Sequence, residues 1–132
     1  MNTLNRYLLL FTGISLTAIG LAYCIDPNLL LSRYELGAVG ASEDNMYRGA
    51  YGGLFITLGA AISFGCFSAD FRQNATLLAL LFMGGFALGR IASIAMLGVP
   101  HAQIVSLLMF EVVTATAFAG FLLAHRRQLR GV

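Results

Sequence analysis

Residues 76–124 read TLLALLFMGGFALGRIASIAMLGVPHAQIVSLLMFEVVTATAFAGFLLA, and in them only Arg90 and Glu111 are charged. Crossing a bilayer takes about 20 apolar residues, so this stretch is too long for one span. It is broken at Gly98-Val99-Pro100. Glycine ends a helix cheaply, and proline, with no amide hydrogen, suits the first turn of the next helix. The reading is a tight helical hairpin, with a third span near Thr76 to Leu97 and a fourth near Pro100 to Ala124.

Working outward, 19 uncharged residues, Tyr7 to Ile25, lie between Arg6 and Asp26, and 21, Gly49 to Ala69, lie between Arg48 and Asp70. Each run is long enough to cross. Four spans use about 80 residues, which in a chain of 132 leaves no room for a soluble domain. Composition agrees, because 58% of residues are hydrophobic and 11% charged, against about 25% charged in a soluble domain. The expectation is one transmembrane domain over residues 1–132, an all-α four-helix bundle. The first span exceeds the roughly 7–15 residue core of a signal peptide. Tyr23 also stands before Cys24 where a lipoprotein cleavage box needs a small residue, so the span is read as a retained helix.

Arginine placement sets the orientation, for the chain has no lysine. Four spans put both termini on one side, with Arg6, Arg72, Arg126, Arg127 and Arg130 against Asp70 alone. That side is expected to be cytoplasmic. The tail arginines suit anionic lipid headgroups, and nucleic acid is not an expected partner. The opposite side carries Asp26, Arg33, Glu35, Glu43 and Asp44. Its linker, Asp26 to Asn45, contains Leu29, Leu30, Leu31, Tyr34 and Leu36, which fits a segment resting in the headgroup region, with a lid as the alternative. After Gly37-Ala38-Val39-Gly40-Ala41, Ser42 reads as a helix cap, with Glu43 and Asp44 favourable in the first turn.

Cys24 and Cys66 fall at opposite ends of their spans, too far apart for a disulfide. His101 and His125 fall at opposite ends of the fourth span and could not ligate one haem within a bundle. Neither a metal site nor any cofactor is expected from these residues. Gly49-x-x-x-Gly53 and Gly85-x-x-x-Gly89 are small-residue motifs of the kind that bring helices together in lipid. They predict the second span against the third, with a dimer seam as the alternative use.

Arg90 and Glu111 lie about 14 and 18 Å from the turn near Val99, at about 1.5 Å per residue. An unpaired charge at mid-membrane costs at least about 2.5–3.5 kcal/mol, so the two should pair, as a bidentate arginine–carboxylate contact. Asn45, Tyr51 and Ser93 gather in the same half of the bundle. Arg48 has a plain role open to it, an i,i+4 pair with Asp44. Turned inward instead, it would make a net positive pocket for a lipid headgroup or a small acidic solute.

Arg48-Gly49-x-Tyr51-Gly52-Gly53 with Gly59, then Gly84-Gly85-x-Ala87-x-Gly89-Arg90-x-x-Ser93, Gly98-x-Pro100 and Glu111, resemble the bacterial DUF4345 family of small four-helix membrane proteins. The resemblance covers roughly Asn45 to Ala115, and its general look is also similar to DoxX-like membrane proteins. It implies the fold and a bacterial inner-membrane location, with no activity to carry over. Two roles follow from the residues. In one, Arg48, Arg90, Glu111, Ser93, Tyr51 and Asn45 bind a lipid headgroup or anionic solute. In the other, the protein is a structural or assembly subunit, as a homo-oligomer or with a membrane partner, and the pair only holds two helices together. No nucleophile or cofactor motif supports an enzyme.

Overall fold

A computed structural model describes residues 3–34, 40–129 and 131. Among these residues every regular element is helical. Helix α1 spans Thr3–Ile25. A short α2, Asn28–Leu31, runs into a 3-10 turn, Ser32–Tyr34. Next come α3, Ala41–Tyr47, a π-helical segment, Arg48–Gly53, and α4, Leu54–Phe67, then α5, Arg72–Leu97, and α6, Ala102–Leu129. Thr3–Ile25, Ala41–Phe67, Arg72–Leu97 and Ala102–Gln128 are long and apolar enough to cross a membrane. The chain is an all-α, multi-pass membrane protein.

Glycine decides the closest helix pair, but not at the expected positions. A Cβ on Gly13 would lie 2.5 Å from the Gly59 carbonyl oxygen, and one on Gly59 would lie 2.6 Å from that of Gly13. Two turns along, a Cβ on Gly20 would come within 2.8 Å of the Gly52 oxygen. The antiparallel seam of α1 with the second span thus repeats every seven residues on both sides, which lets the backbones touch in a setting with little hydrophobic drive. By contrast, a Cβ on Gly49, Gly85 or Gly89 would meet nothing within 4 Å, and one on Gly53 only the Arg48 oxygen of its own segment. The predicted packing of the second span on the third through these glycines is therefore corrected: α4 meets α5 at a different glycine, Gly65 against Ala75, and through larger groups, Phe55 against Phe82 and Phe86.

Leu9, Leu16, Phe55, Ile62, Ala75, Ala79 and Phe118 form the buried core. Asn5, itself fully buried, donates Nδ2 to Thr76 Oγ1 at 3.1 Å across α1 and α5. Helix ends are closed by arginine, a cation at the negative end of the helix dipole. Arg6 Nε donates to the Cys66 carbonyl, and Arg72 reaches the carbonyls of Gly65 and Cys66 at 3.1 and 3.3 Å, so two arginines cap α4.

The turn between α5 and α6 has Gly98 at φ +92°, a conformation that suits glycine. Pro100 does not open α6. The His101 carbonyl accepts the first amide bonds and its Nδ1 accepts from Gln103 N–H at 3.4 Å, so His101 occupies the cap. α6 also runs past Ala124 to Leu129, because arginine is a good helix former and suits the last turn. α5 begins at Arg72 rather than Thr76. Ser42 is not a cap either: Gly40 precedes the first turn of α3, and its amide donates to Glu43 Oε2 at 2.6 Å.

Asp26 Oδ1 accepts from Asn28 N–H and holds the turn into α2. Leu29 is exposed on that segment, whereas Leu31 is only 2% exposed, driven into the end of the bundle. The segment thus turns one side chain into the protein and leaves another exposed. Glu35, Leu36, Gly37, Ala38, Val39 and Arg130 lie outside the described residues.

Candidate functional site

The bundle is closed at the end that holds the chain termini and open toward the linker. On α5, Ala75, Thr76, Ala79, Met83 and Ala87 are buried, and beyond Ala87 nothing on that helix is. On α6, Glu111, Thr114 and Phe118 are buried, and nothing before Glu111 is. The two helices thus leave the core at one level, and a cavity of about 750 Å³ opens there among α1, the second span, α5, α6 and the linker. Tyr51, Ser93, Gly85, Gly89, Arg90 and Glu111 all line it.

Arg90 and Glu111 meet across α5 and α6. The Arg90 Nε donates to both carboxylate oxygens of Glu111, at 3.0 and 2.9 Å. The Glu111 side chain is 9% exposed and that of Arg90 26%. The expected fork of two parallel bonds is not formed, since a single nitrogen serves both oxygens. Neither Nη of Arg90 has a hydrogen-bond partner among the described residues. Its guanidinium carbon stands 6.0 Å from the centroid of Phe86, one turn back on α5. One turn beyond Glu111, the Thr114 hydroxyl donates to the Phe110 carbonyl at 2.7 Å and is satisfied within its own helix.

Arg48 and Asn45 do not belong to this cavity. Arg48 forms the fork instead, with Nε to Asp44 Oδ2 at 2.6 Å and Nη2 to Asp44 Oδ1 at 3.1 Å. Its Nη1 donates to the carbonyls of Cys24 and Ile25. The plain i,i+4 role is therefore the observed one, and the same guanidinium caps α1. The inward-turned Arg48 is corrected by this geometry, and with it the second arginine of the expected positive pocket: among the described residues the charged groups that line the cavity are Arg90 and Glu111, a balanced pair. Asn45 is exposed on α3.

Apart from Tyr51, sequence reasoning passed over the aromatic lining. Tyr23 lies 5.3 Å from Tyr51 between ring centroids, Tyr47 5.6 Å from Tyr51, and Tyr51 5.5 Å from Phe55. Phe55 then meets Phe82 at 5.2 Å and Phe86 at 5.8 Å, so the rings run unbroken to Arg90. Offset and edge-on rings at these spacings attract beyond the area they bury. The signal was present as i,i+4 spacing, Tyr47-Tyr51-Phe55 on the second span and Phe82-Phe86-Arg90 on the third. The π-helical turn carries Tyr51 within its run of three glycines, Gly49, Gly52 and Gly53. Such turns recur where a helix must aim side chains out of the regular register.

A second hollow, of about 560 Å³, is lined by Arg33, Tyr34, Gln103, Ser106 and Leu107. Tyr34 and Leu107 line both hollows, so the two adjoin at the linker end. Among the described residues no group of three or more His, Cys, Asp or Glu side chains is placed to hold a metal ion. A family model described as a domain of unknown function, DUF4345, matches residues 4–122. No curated protein and no solved structure matches the chain.

Proposed function

We propose that this chain, which belongs to the DUF4345 family, is a binding module that holds the polar head of a membrane amphiphile at Arg90. The observation that carries this reading is the division of labour in one guanidinium. Arg90 is anchored through Nε alone, which leaves both Nη groups beside a 750 Å³ cavity without a protein hydrogen-bond partner among the described residues. Guanidinium donors recognise phosphate and carboxylate oxygens well, and more so away from water. Because Glu111 already balances Arg90, a headgroup delivered by the lipid phase fits better than a free anion drawn in by net positive charge.

The assembly reading rests on the other face of the same contact, since both Glu111 oxygens are engaged and its side chain is nearly buried. Buried pairs can fix helix register without binding anything. The two roles separate in native mass spectrometry of gently extracted protein. In the binding role, wild type retains a mass with an acidic or phosphate head, and the neutral variant Arg90→Gln/Glu111→Gln loses it. Equal retention by both proteins, or none by either, refutes binding at Arg90.

For location, the proposal is the bacterial inner membrane with both termini cytoplasmic. Arg6, Arg72, Arg126 and Arg127 support that orientation, because basic residues collect on the cytoplasmic side.

A further inference from the structure

Five of the eleven mid-helix glycines among the described residues are accounted for by what they touch, and of the others only Gly85 and Gly89 line the cavity. Gly13, Gly20, Gly52 and Gly59 admit a neighbouring backbone or side chain, and Gly65 admits Ala75 of α5. Gly85 and Gly89 admit nothing: a Cβ at either would meet no atom within 4 Å. Glycine inside a helix destabilises it relative to alanine, and no helix contact offsets that loss here. Both positions line the cavity, one turn apart, on the stretch of α5 that leads into Arg90.

An independent observation lies at the far wall of the helix order, on α1. Tyr23 is 9% exposed and lines the same cavity, and its hydroxyl has no hydrogen-bond partner among the described residues. The oxygen is not one of the sealed, unpartnered polar atoms of the core, so it is accessible, and the cavity that Tyr23 lines is where a partner can reach it. Its ring packs against both Tyr47 and Tyr51, which keeps the group in place. An oxygen supplied from within the cavity would satisfy Tyr23 and the Arg90 Nη groups alike.

We infer that Gly85 and Gly89 are the specificity-determining residues of this cavity, kept without side chains so that the thin body of a single-tailed amphiphile lies along α5 with its oxygen-bearing head at Arg90 and Tyr23. This rests on the binding role proposed above and names the class of ligand. A volume of about 750 Å³ falls within the roughly 300–1,000 Å³ of sites that take one drug-sized molecule. The body of the ligand supplies the contacts that the two missing side chains would otherwise make with the aromatic lining.

The test uses the full chain in detergent micelles and cis-parinaric acid, a fluorescent single-tailed carboxylate. Gly85→Leu and Gly89→Leu fill the cavity and should each weaken binding about tenfold or more. Gly84→Leu is the control, because a Cβ there also meets nothing within 4 Å while Gly84 is not among the lining residues. It should bind as wild type does, and the melting midpoints of all three should stay at or above that of wild type. If a leucine variant melts lower, Gly85→Ala and Gly89→Ala read the same question with a smaller group. Wild-type affinity in the Gly85 and Gly89 variants, or an equal loss in Gly84→Leu, overturns the inference. Arg90→Gln/Glu111→Gln tells the two ideas apart. Loss of binding there with full binding in the glycine variants removes only the glycine role. Full binding in the neutral pair removes the headgroup role, and no saturable binding by wild type removes both.

Discussion

Replacing Arg90 and Glu111 by leucine, singly and together, measures how strongly the two side chains depend on each other. Arg90→Leu leaves a carboxylate whose side chain is 9% exposed and whose two oxygens have lost the nitrogen at 2.9 and 3.0 Å. Breaking a buried pair from one side costs about 3–5 kcal/mol, and this site belongs at the lower end, about 3, because the cavity adjoins it. Glu111→Leu should cost less, about 2 kcal/mol, since the longer arginine can turn its head toward more polar surroundings. Arg90 is already 26% exposed, which is what allows it. The double leucine variant strands no charge, so its loss should be only about 1–2 kcal/mol, well below the sum of the two single losses. Reversible unfolding of the four proteins in one detergent, followed by circular dichroism, supplies the cycle. Single effects that add to within about 0.5 kcal/mol would show that the side chains are not partners and refute the reasoning.

Two further outcomes are expected. Gly59→Ala puts a Cβ 2.6 Å from the Gly13 oxygen and 2.8 Å from the Thr17 nitrogen, so overpacking of about 1–3 kcal/mol should exceed the gain of up to about 1 kcal/mol in helix propensity; Gly84→Ala, with open space, should show that gain alone, and thermal melts of the two should move in opposite directions. With Cys24 and Cys66 replaced by alanine, a cysteine at Ser42 should react with a membrane-impermeant reagent in intact cells and one at Gln128 should not. The reverse pattern would invert the proposed orientation.

The four spans were legible because uncharged runs and the Gly98-Val99-Pro100 break are local properties of the chain. So was the partnership of Arg90 and Glu111, since a hairpin places equal distances from one turn at equal depth. The geometry of that partnership was not legible. Whether a guanidinium offers a fork or a single nitrogen depends on the separation of α5 and α6, and here the fork is found at Arg48 and Asp44. The sites of close packing misled for a related reason. A Gly-x-x-x-Gly motif declares a smooth helix face without saying what lies against it, and the seam that formed uses a seven-residue spacing, Gly13 to Gly20 against Gly52 to Gly59.

By itself the sequence determined that this protein is a four-helix membrane bundle and which charges must find partners inside it. Both follow from transfer free energies that act residue by residue along the chain. Only the tertiary structure decided that α5 and α6 part above Ala87 and Glu111, that rings from α1, the second span and α5 line the gap, and that Gly85 and Gly89 face space in place of a helix. These depend on how close the helices approach, which is set jointly by side chains far apart in sequence. No single stretch of the chain carries that information.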